Sequence, residues 1–564
     1  MTDSSASSTS SPAEFVPPHP GSQQMPRWDG GELPAAPVFH LRNWTALIGP
    51  SVVMAAAAIG GGEWLTGPQV TARFGPALLW LSAFSILGQV IYNIEISRYA
   101  LYTGEPIFTG KFRTLPGPMF WLCVYLCLDC GSFLPYLASS AALPLAGIIL
   151  GRTPEPSTNP ADATFVKLLG CGIFLAVLLP LLVGGKVYNS LRAIMTFKLV
   201  VVLGFLMMLA VFYSKPSTWA EIGSGFFKVG TVPIHREGDA NNNGKRDKGE
   251  PELGPNTDNV FSSLLGGRGW PLIDMAVIGL IGSMVAISGN GGLTNTPISN
   301  FTREQGWGMG RHVGAIPSIV GGHAIELSHV GMVFQVTKES LARWKAWLGH
   351  VQREQICIWM PACFIGIALP SMLSVQFLER GTVLDDKNMA AVMTAGGVQA
   401  AAGPFFGPFF WFMTMFCGLL VLSTSMASTA DGVLRRWVDV CWTALPSLQK
   451  WDTKHIGKLY FGVLCVYAGC GLLMLLFVPS NALLIFSGML YNFALGFSCW
   501  HVVAVNRMLL PNEIKPGLGR CAGLVLAGIF FSIAATATSI QEVPKLIKEI
   551  NKLRSPAAVV KPAA

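Results

Sequence analysis

The feature of this sequence that most constrains its fold is a series of long apolar segments. The hydrocarbon core of a bilayer is about 30 Å thick, so a spanning helix needs about 20 mostly apolar residues. Such segments lie at 45–73, 77–100, 119–148, 165–185, 193–213, 270–299, 354–376, 404–428, 457–478, 482–505 and 518–540. Only 12% of the residues are charged, roughly half the share in soluble domains. The sequence therefore predicts an all-α membrane protein with about eleven transmembrane helices.

The basic residues lie between the apolar segments, and their distribution predicts the orientation of the chain. With the N-terminus inside, the inner loops contain Lys111, Arg113, Lys186, Arg192, Arg343, Lys345, Arg353, Arg435, Arg436, Lys450, Lys454, Arg507, Lys515 and Arg520. The short outer loops contain few bases, which is the usual asymmetry of membrane proteins. We expect a multi-pass protein of the inner cell membrane with a cytoplasmic N-terminus. The net charge of +8 then reflects topology, and no nucleic-acid partner is expected.

Two of the apolar segments are interrupted by glycines at membrane depth. In the first, Gly60, Gly61 and Gly62 precede Glu63, and in the sixth, Ser288–Gly292 is followed by Asn295. Each glycine costs about 1 kcal/mol in a helix, and a charge at the bilayer centre costs at least about 2.5 kcal/mol. Transporters built from inverted repeats bind their substrate at paired breaks five spans apart. The structural alternative is that the glycines only permit close helix packing.

Several stretches of the chain match the motifs of one known family. They are Gly49-Pro50, Ala58–Thr66, Ala72–Gly75, Leu78–Trp80, Arg98, Thr103-Gly104, Ser139–Leu143, Gly418–Ser425 and Asp431-Gly432. These stretches resemble the Nramp divalent-metal transporters, over most of residues 40–540 and most strongly over 45–105. The resemblance implies a LeuT-type fold, in which two inverted five-helix repeats contain broken first and sixth helices. It also implies proton-coupled uptake of a metal ion into the cytoplasm.

The sequence departs from this family at the metal site. The family's Asp-Pro-Gly-Asn aligns with Gly60–Glu63, and its Met-Pro-His-Asn aligns with Ala286–Gly289, or with a range ending at Asn290 after a slip of one residue. The aspartate and the thioether ligand are both missing, so the chain is expected to be a divergent member. The expected substrate-binding residues are Gly60, Gly61, Gly62, Glu63, Ala286, Ser288, Asn290 and Asn295. The family's acidic pair for protons aligns with Ser132 and Pro135, which leaves Asp129 and His501 as candidates for a proton pathway, with a hydrogen-bonded structural role open for His501.

The resemblance and the apolar segments together divide the chain into regions. The expected regions are a disordered cytoplasmic tail (1–38), a first five-helix repeat (39–213), an outer loop (214–268), a second five-helix repeat (269–505) containing a cytoplasmic loop (300–353), an eleventh helix (506–540) and a C-terminal tail (541–564). The side on which the C-terminal tail lies is left open, because its lysines do not follow the charge asymmetry. In the inner loop, an alternating stretch around Val333 predicts a small hairpin. The helix Glu339–Gln352 is basic and amphipathic, so we expect it on the membrane surface.

The outer loop contains a calcium-type motif. Residues 239–250 place oxygen ligands at the positions of a twelve-residue calcium loop, with a glycine at the turn. The expected ligands are Asp239, Asn241, Asn243, Lys245 through its backbone carbonyl, Asp247 and Glu250. No amphipathic helices flank the motif, so a solvated polar loop is the alternative. A structural Ca²⁺ is the one possible cofactor, and none other is expected.

Two other clusters have metal-binding residue types. Cys123, Cys127 and Cys130 share a helix face, where thiolates bind soft metals, but small apolar packing is the favoured interpretation. His323, Glu326 and His329 (within 300–353) are expected to be ordinary solvated side chains.

The leading hypothesis is a secondary active transporter of a divalent cation of the Mg²⁺ or Mn²⁺ class. Its partners would be a small inorganic cation and the lipid bilayer, with the oligomeric state left open. The same scaffold could instead move an organic solute such as an amino acid with Na⁺ or H⁺, or the protein could be a membrane sensor that does not transport. An enzyme is not expected, because no nucleophile–base pair or nucleotide-binding loop is evident.

Overall fold

A computed structural model describes residues 15–17, 21–40, 64–183, 186–237, 254–313, 330–382, 390–451 and 455–554. Among these residues, nine helices are long and apolar enough to cross a membrane, or up to ten if the bent pair Phe197–Phe212 and Pro216–Gly225 is one span. Each of the eleven predicted spans overlaps a helix. The helices are α1 (Thr66–Phe74), α2 (Leu79–Thr103), α3 (Ile107–Arg113), α4 (Pro118–Leu128), α5 (Tyr136–Leu150), α6 (Pro160–Val183), α7 (Lys186–Phe212), α8 (Pro216–Gly225), α9 (Val260–Leu265), α10 (Ile278–Ile287), α11 (Pro297–Glu304), α12 (Gly310–Val313), α13 (Lys338–Glu354), α14 (Met360–Phe377), α15 (Ala390–Ala444), α16 (Pro446–Gln449), α17 (Ile456–Phe477), α18 (Ser480–Leu509) and α19 (Leu518–Arg554).

Three of the predicted spans are not single straight helices. The sixth is divided into α10 and α11, as the glycines predict. The third is divided into α4 and α5 by a 3₁₀ turn at Asp129–Phe133, which the sequence analysis missed. Helix α15 begins before the predicted eighth span, is kinked at Gly403, and extends past its predicted end to Ala444. This extension places Arg435 and Arg436, expected in a loop, on a helix.

The structure of the N-terminal segment differs from its prediction. Residues 21–40 pack against the rest of the protein and are not a disordered tail. The strand β1 (Asp29–Gly31) pairs in parallel with β4 (Met332–Phe334), so the stretch around Val333 pairs with this segment. The rest of the predicted hairpin, around Ile325 and Leu327, lies outside the described residues. A second, antiparallel pair joins β2 (Thr231–Pro233) to β3 (Thr257–Asn259). The segment is ordered because Trp28 and Leu33 are buried, and because Arg113 donates to the carbonyl of Pro26.

The position of helix α13 also differs from its prediction. The helix forms as expected, with Thr337 capping its first turn. However, Trp344 and Trp347 are buried within the protein, and the indole of Trp347 donates to the carbonyl of Pro34. The apolar face of α13 is therefore covered by the chain itself and does not lie on a bilayer surface.

Candidate functional site

The break in the sixth span is an extended turn between α10 and α11. Helix α10 ends at Ile287, and Ser288 is extended, with φ −71° and ψ 102°. Gly289 and Gly292 have φ of +97° and +60°, a region that glycine adopts without steric cost. A side chain at Gly291 or Gly292 would also lie 2.6 Å from the ring of Tyr491 on α18. Glycine is thus required here both by conformation and by close contact.

The side chain of Gln89 on α2 binds the open backbone of this break. Its Nε2 donates to the carbonyl of Ser288 at 2.7 Å, and its Oε1 accepts from the backbone N–H of Asn290 at 3.0 Å. The same oxygen accepts from Asn295 Nδ2 at 2.9 Å. Ser85, one turn earlier on α2, donates to the carbonyl of Val285 at 2.7 Å. These side chains thereby supply hydrogen-bond partners to the unwound backbone, where solvent cannot supply them.

The predicted ligands of the sixth span lie at this break. Ala286 and Ser288 are buried, and the Ser288 hydroxyl donates to the carbonyl of Met284 at 2.6 Å. Asn295 is fully buried, and its Oδ1 has no hydrogen-bond partner among the described residues. The Nδ2 of Asn290 is likewise buried without a partner in that part of the chain. Uncompensated polar atoms in a buried position are costly, so they mark a place where a ligand would be stabilising.

The other half of the predicted site, Gly60, Gly61, Gly62 and Glu63, lies outside the described residues. The next residue, Trp64, is buried and lines a small cavity together with Ser140, Thr414 and Gly418. This cavity holds about 10 Å³, which is room for about one water molecule.

Asp129 is a member of a buried ion pair. Its carboxylate accepts from Arg436 Nη2 at 2.6 Å and from Trp437 Nε1 at 2.9 Å, and it also accepts from the Ser132 hydroxyl at 2.7 Å. Arg436 in turn donates to the carbonyl of Leu293 at 3.2 Å, within the sixth-span break. The interruption of the third span is thereby connected to the break through one guanidinium group. Because the Asp129 carboxylate is paired with Arg436, it could bind a proton in place of the guanidinium only if this ion pair separates.

His501 on α18 is hydrogen-bonded through both ring nitrogens. Nε2 lies 2.8 Å from the Thr114 hydroxyl and Nδ1 lies 2.8 Å from the Tyr125 hydroxyl. A neutral imidazole donates from one nitrogen and accepts at the other, so two hydroxyls satisfy it. These contacts fit a structural role, and a proton relay through His501 remains a proposal.

The described residues leave the predicted calcium loop untested, and they include the three cysteines that were expected to pack as small apolar side chains. Cys123, Cys127 and Cys130 are exposed on the outer surface of α4 and its following turn, so they do not face the break. The described part of the chain contains no cluster of three or more His, Cys, Asp or Glu side chains that could bind a metal. The calcium-type residues Asp239, Asn241, Asn243, Lys245, Asp247 and Glu250, and the cluster His323, Glu326 and His329, lie outside the described residues.

Gln89 and Arg436 are not among the predicted site residues, although the sequence contains a signal for Gln89. Ser82, Ser85, Gln89 and Asn93 follow one face of the second span at helical spacing, and all four are buried. Polar residues inside a membrane span usually face protein or a cavity. Arg436 was assigned to a loop because the end of the eighth span was placed too early.

Comparisons with known proteins agree with this architecture. No protein-family model matches the chain. A stretch of 79 residues is 29% identical to the divalent metal cation transporter MntH of Chromohalobacter salexigens, which covers 14% of this chain and 18% of that relative. The match therefore spans less than a fifth of the length of the relative.

The solved structures of a manganese transporter from Eremococcus coleocola match nearly the whole chain. One, in complex with an aromatic bis-isothiourea substituted compound, has a TM-score of 0.53 at 14% identity and covers 90% of this chain and 89% of its own. A point mutant of that transporter gives a TM-score of 0.55 at 13% identity, over 94% of this chain and 92% of its own. Identity at this level shows the fold alone. The chain therefore has the LeuT-type fold of these structures, with inverted five-helix repeats.

Proposed function

We propose that the protein is a secondary active transporter that moves a divalent metal cation across the membrane, coupled to protons, and that it is a divergent relative of the Nramp transporters. The observation that supports this best is the break at Ser288–Asn295, which lies in a fold shared with a manganese transporter. The amide oxygen of Asn295, which has no hydrogen-bond partner among the described residues, adds a buried ligand at that break.

The donor atoms at the break favour a hard cation. The predicted site offers the carboxylate of Glu63, backbone carbonyls near Gly60 and Ala286, and the amides of Asn290 and Asn295. Carboxylate, carbonyl and water ligands suit Mg²⁺ and Mn²⁺, whereas thiolates and thioethers suit softer ions. The three cysteines of α4 and its following turn face away from the break, so they supply no soft ligand. We therefore expect Mn²⁺ or Mg²⁺ to be preferred over Cd²⁺.

The proposal includes the placement of the chain in the membrane. We infer an inner-membrane protein with a cytoplasmic N-terminus, in which residues 21–40, α3 and α13 lie on the cytoplasmic side. Metal uptake would then run toward the face that contains the N-terminal segment. The protein would not be an enzyme, since transport requires no covalent chemistry.

Transport by the purified protein in liposomes tests this function. We expect saturable uptake of Mn²⁺, inhibited by Mg²⁺ and weakly by Cd²⁺. Asn295→Ala should remove most of the uptake, while the exposed Asn512→Ala serves as the matched control. Strong inhibition by Cd²⁺ that disappears in Cys127→Ser would contradict the oxygen-ligand site. The absence of any divalent flux would favour the organic solute, and binding without flux would favour the sensor.

A further inference from the structure

Lys111 is buried in a position that its sequence context does not predict. It lies on the short helix α3 between the second and third spans, where a basic residue was expected to face the cytoplasm. Instead, its side chain is completely inaccessible to solvent. It points into the space between α2, α4 and α18, where it contacts Ser498 and Tyr125.

The ammonium group of Lys111 has few partners. Its Nζ donates to the Ser498 hydroxyl at 2.6 Å, and it lies 4.4 Å and 4.8 Å from the ring centres of Tyr125 and Phe108. Among the described residues, none of the carboxylates forms an ion pair with it, whereas the nearby Arg113 is paired with Glu105. A buried ammonium without a carboxylate is costly, and cation–π contacts offset only about 2 kcal/mol of such a cost.

The groups around Lys111 favour a change in its protonation. The titratable side chains that face it are Tyr92 on α2, Tyr125 on α4, and Cys499 and His501 on α18, with the Asp129–Arg436 pair farther away. The phenol, thiol and imidazole groups supply no fixed negative charge near neutral pH. Burial lowers the pKa of Lys111 well below its ordinary value. Burial thus favours the neutral amine more than it would in an exposed lysine, as in other buried lysines.

The cluster around Lys111 is connected to the sixth-span break through two helices. Ser498, which accepts from Lys111, is also hydrogen-bonded to Tyr92, one turn after Gln89 on α2. Helix α18 also contacts the break, because Tyr491, which precedes Ser498 on this helix, lies against Gly292. A change in the hydrogen bond at Ser498 would therefore act on both helices that hold the break.

We propose that Lys111 takes up and releases the proton that is coupled to metal movement. The amine lone pair of neutral Lys111 binds a proton from the aqueous phase on one side of the membrane. The transporter then closes toward the first side of the membrane and opens toward the other. The ammonium releases its proton to the aqueous phase on that second side. Only the N–H bond forms and breaks, and the proton gradient supplies the driving force. This inference rests on the proposed function, and it adds the coupling residue to it.

Proton-driven accumulation of Mn²⁺ in liposomes tests this role, with the membrane potential held at zero. For each coupled proton, a pH gradient of one unit drives about tenfold accumulation. Lys111→Met retains the length of the side chain and removes its charge, so we expect this accumulation to be lost while exchange of Mn²⁺ across the membrane continues. The solvent-exposed Lys345→Met on α13 is the matched control and should accumulate Mn²⁺ as the wild type does. Tenfold accumulation by Lys111→Met would overturn the inference.

The pH dependence of thermal stability provides a second measurement that needs no transport. A lysine whose pKa is lowered on folding binds fewer protons in the folded state, so its unfavourable contribution fades as pH rises toward about 10.4. The difference in melting temperature between Lys111→Met and the wild type should therefore shrink from pH 6 to pH 10. A difference that is the same at every pH would overturn the inference for Lys111 alone. A wild-type protein that moves no Mn²⁺ would instead overturn the proposed function.

Discussion

The hydrogen bonds of Gln89 give the sharpest test of how the sixth-span break is held. Gln89→Leu replaces the amide with an apolar group of similar size, so helix α2 itself should pack as before. The substitution leaves the N–H of Asn290 without its acceptor at 3.0 Å, and the carbonyl of Ser288 loses its donor at 2.7 Å. Among the described residues, the Ser288 carbonyl retains a longer contact with the Ser85 hydroxyl, at 3.3 Å.

The expected cost follows from these two backbone groups. Leaving a buried donor or acceptor unsatisfied costs about 1–3 kcal/mol. Because the Ser288 carbonyl keeps a weak partner and the Asn290 N–H keeps none in the part of the chain that the structure describes, we expect Gln89→Leu to lower the free energy of unfolding by about 2–4 kcal/mol in total. The affinity for Mn²⁺ should fall as well, since Asn295 also loses a hydrogen bond to Gln89 that orients its amide.

Thermal unfolding in detergent, with and without Mn²⁺, measures both effects. The control is Gln399→Leu, which makes the same change at an exposed position. Gln89→Glu is informative as an intermediate, because a carboxylate can still accept from Asn290 and Asn295 but cannot donate to Ser288. If Gln89→Leu has the melting temperature and the Mn²⁺ affinity of the wild type, the break is not held by Gln89, and the site must be assigned elsewhere.

Three further predictions concern acidic residues that the sequence singled out. Glu63→Gln should abolish Mn²⁺ uptake without loss of folded protein, because a carboxylate inside an apolar segment, as the sequence predicts for Glu63, is retained for a cation or proton; unchanged uptake by a well-expressed variant would exclude it. Asp129→Asn should destabilise the protein by about 3–5 kcal/mol, since it leaves Arg436 buried without its carboxylate, and adding Arg436→Met should restore part of the loss in a thermal melt. Calcium should protect residues 239–250 from proteolysis at about 10⁻⁴–10⁻³ M, and equal cleavage with calcium and with chelator would show that the loop binds none.

The sequence by itself determined the class of the protein and the position of one break. Apolar segments of spanning length leave few alternatives to transmembrane helices. The glycines at 289–292 predicted the interruption that the structure places between α10 and α11. Both are local properties, because helix length and glycine conformation depend on residues close together in the chain.

The tertiary structure alone decided which polar groups meet. Gln89 contacts residues about 200 positions away, and Asp129 contacts Arg436 across 307 positions. Lys111 looked like an ordinary loop base until helix packing placed it against Ser498, 387 residues away. Such contacts depend on how helices pack. The sequence periodicity of a helix predicts which of its faces is buried, but not which other helix packs against that face. The N-terminal tail shows the same limit, since the Ser, Pro and Gly content of residues 1–38 predicted disorder while a strand beginning at Met332 provided the partner for Asp29–Gly31.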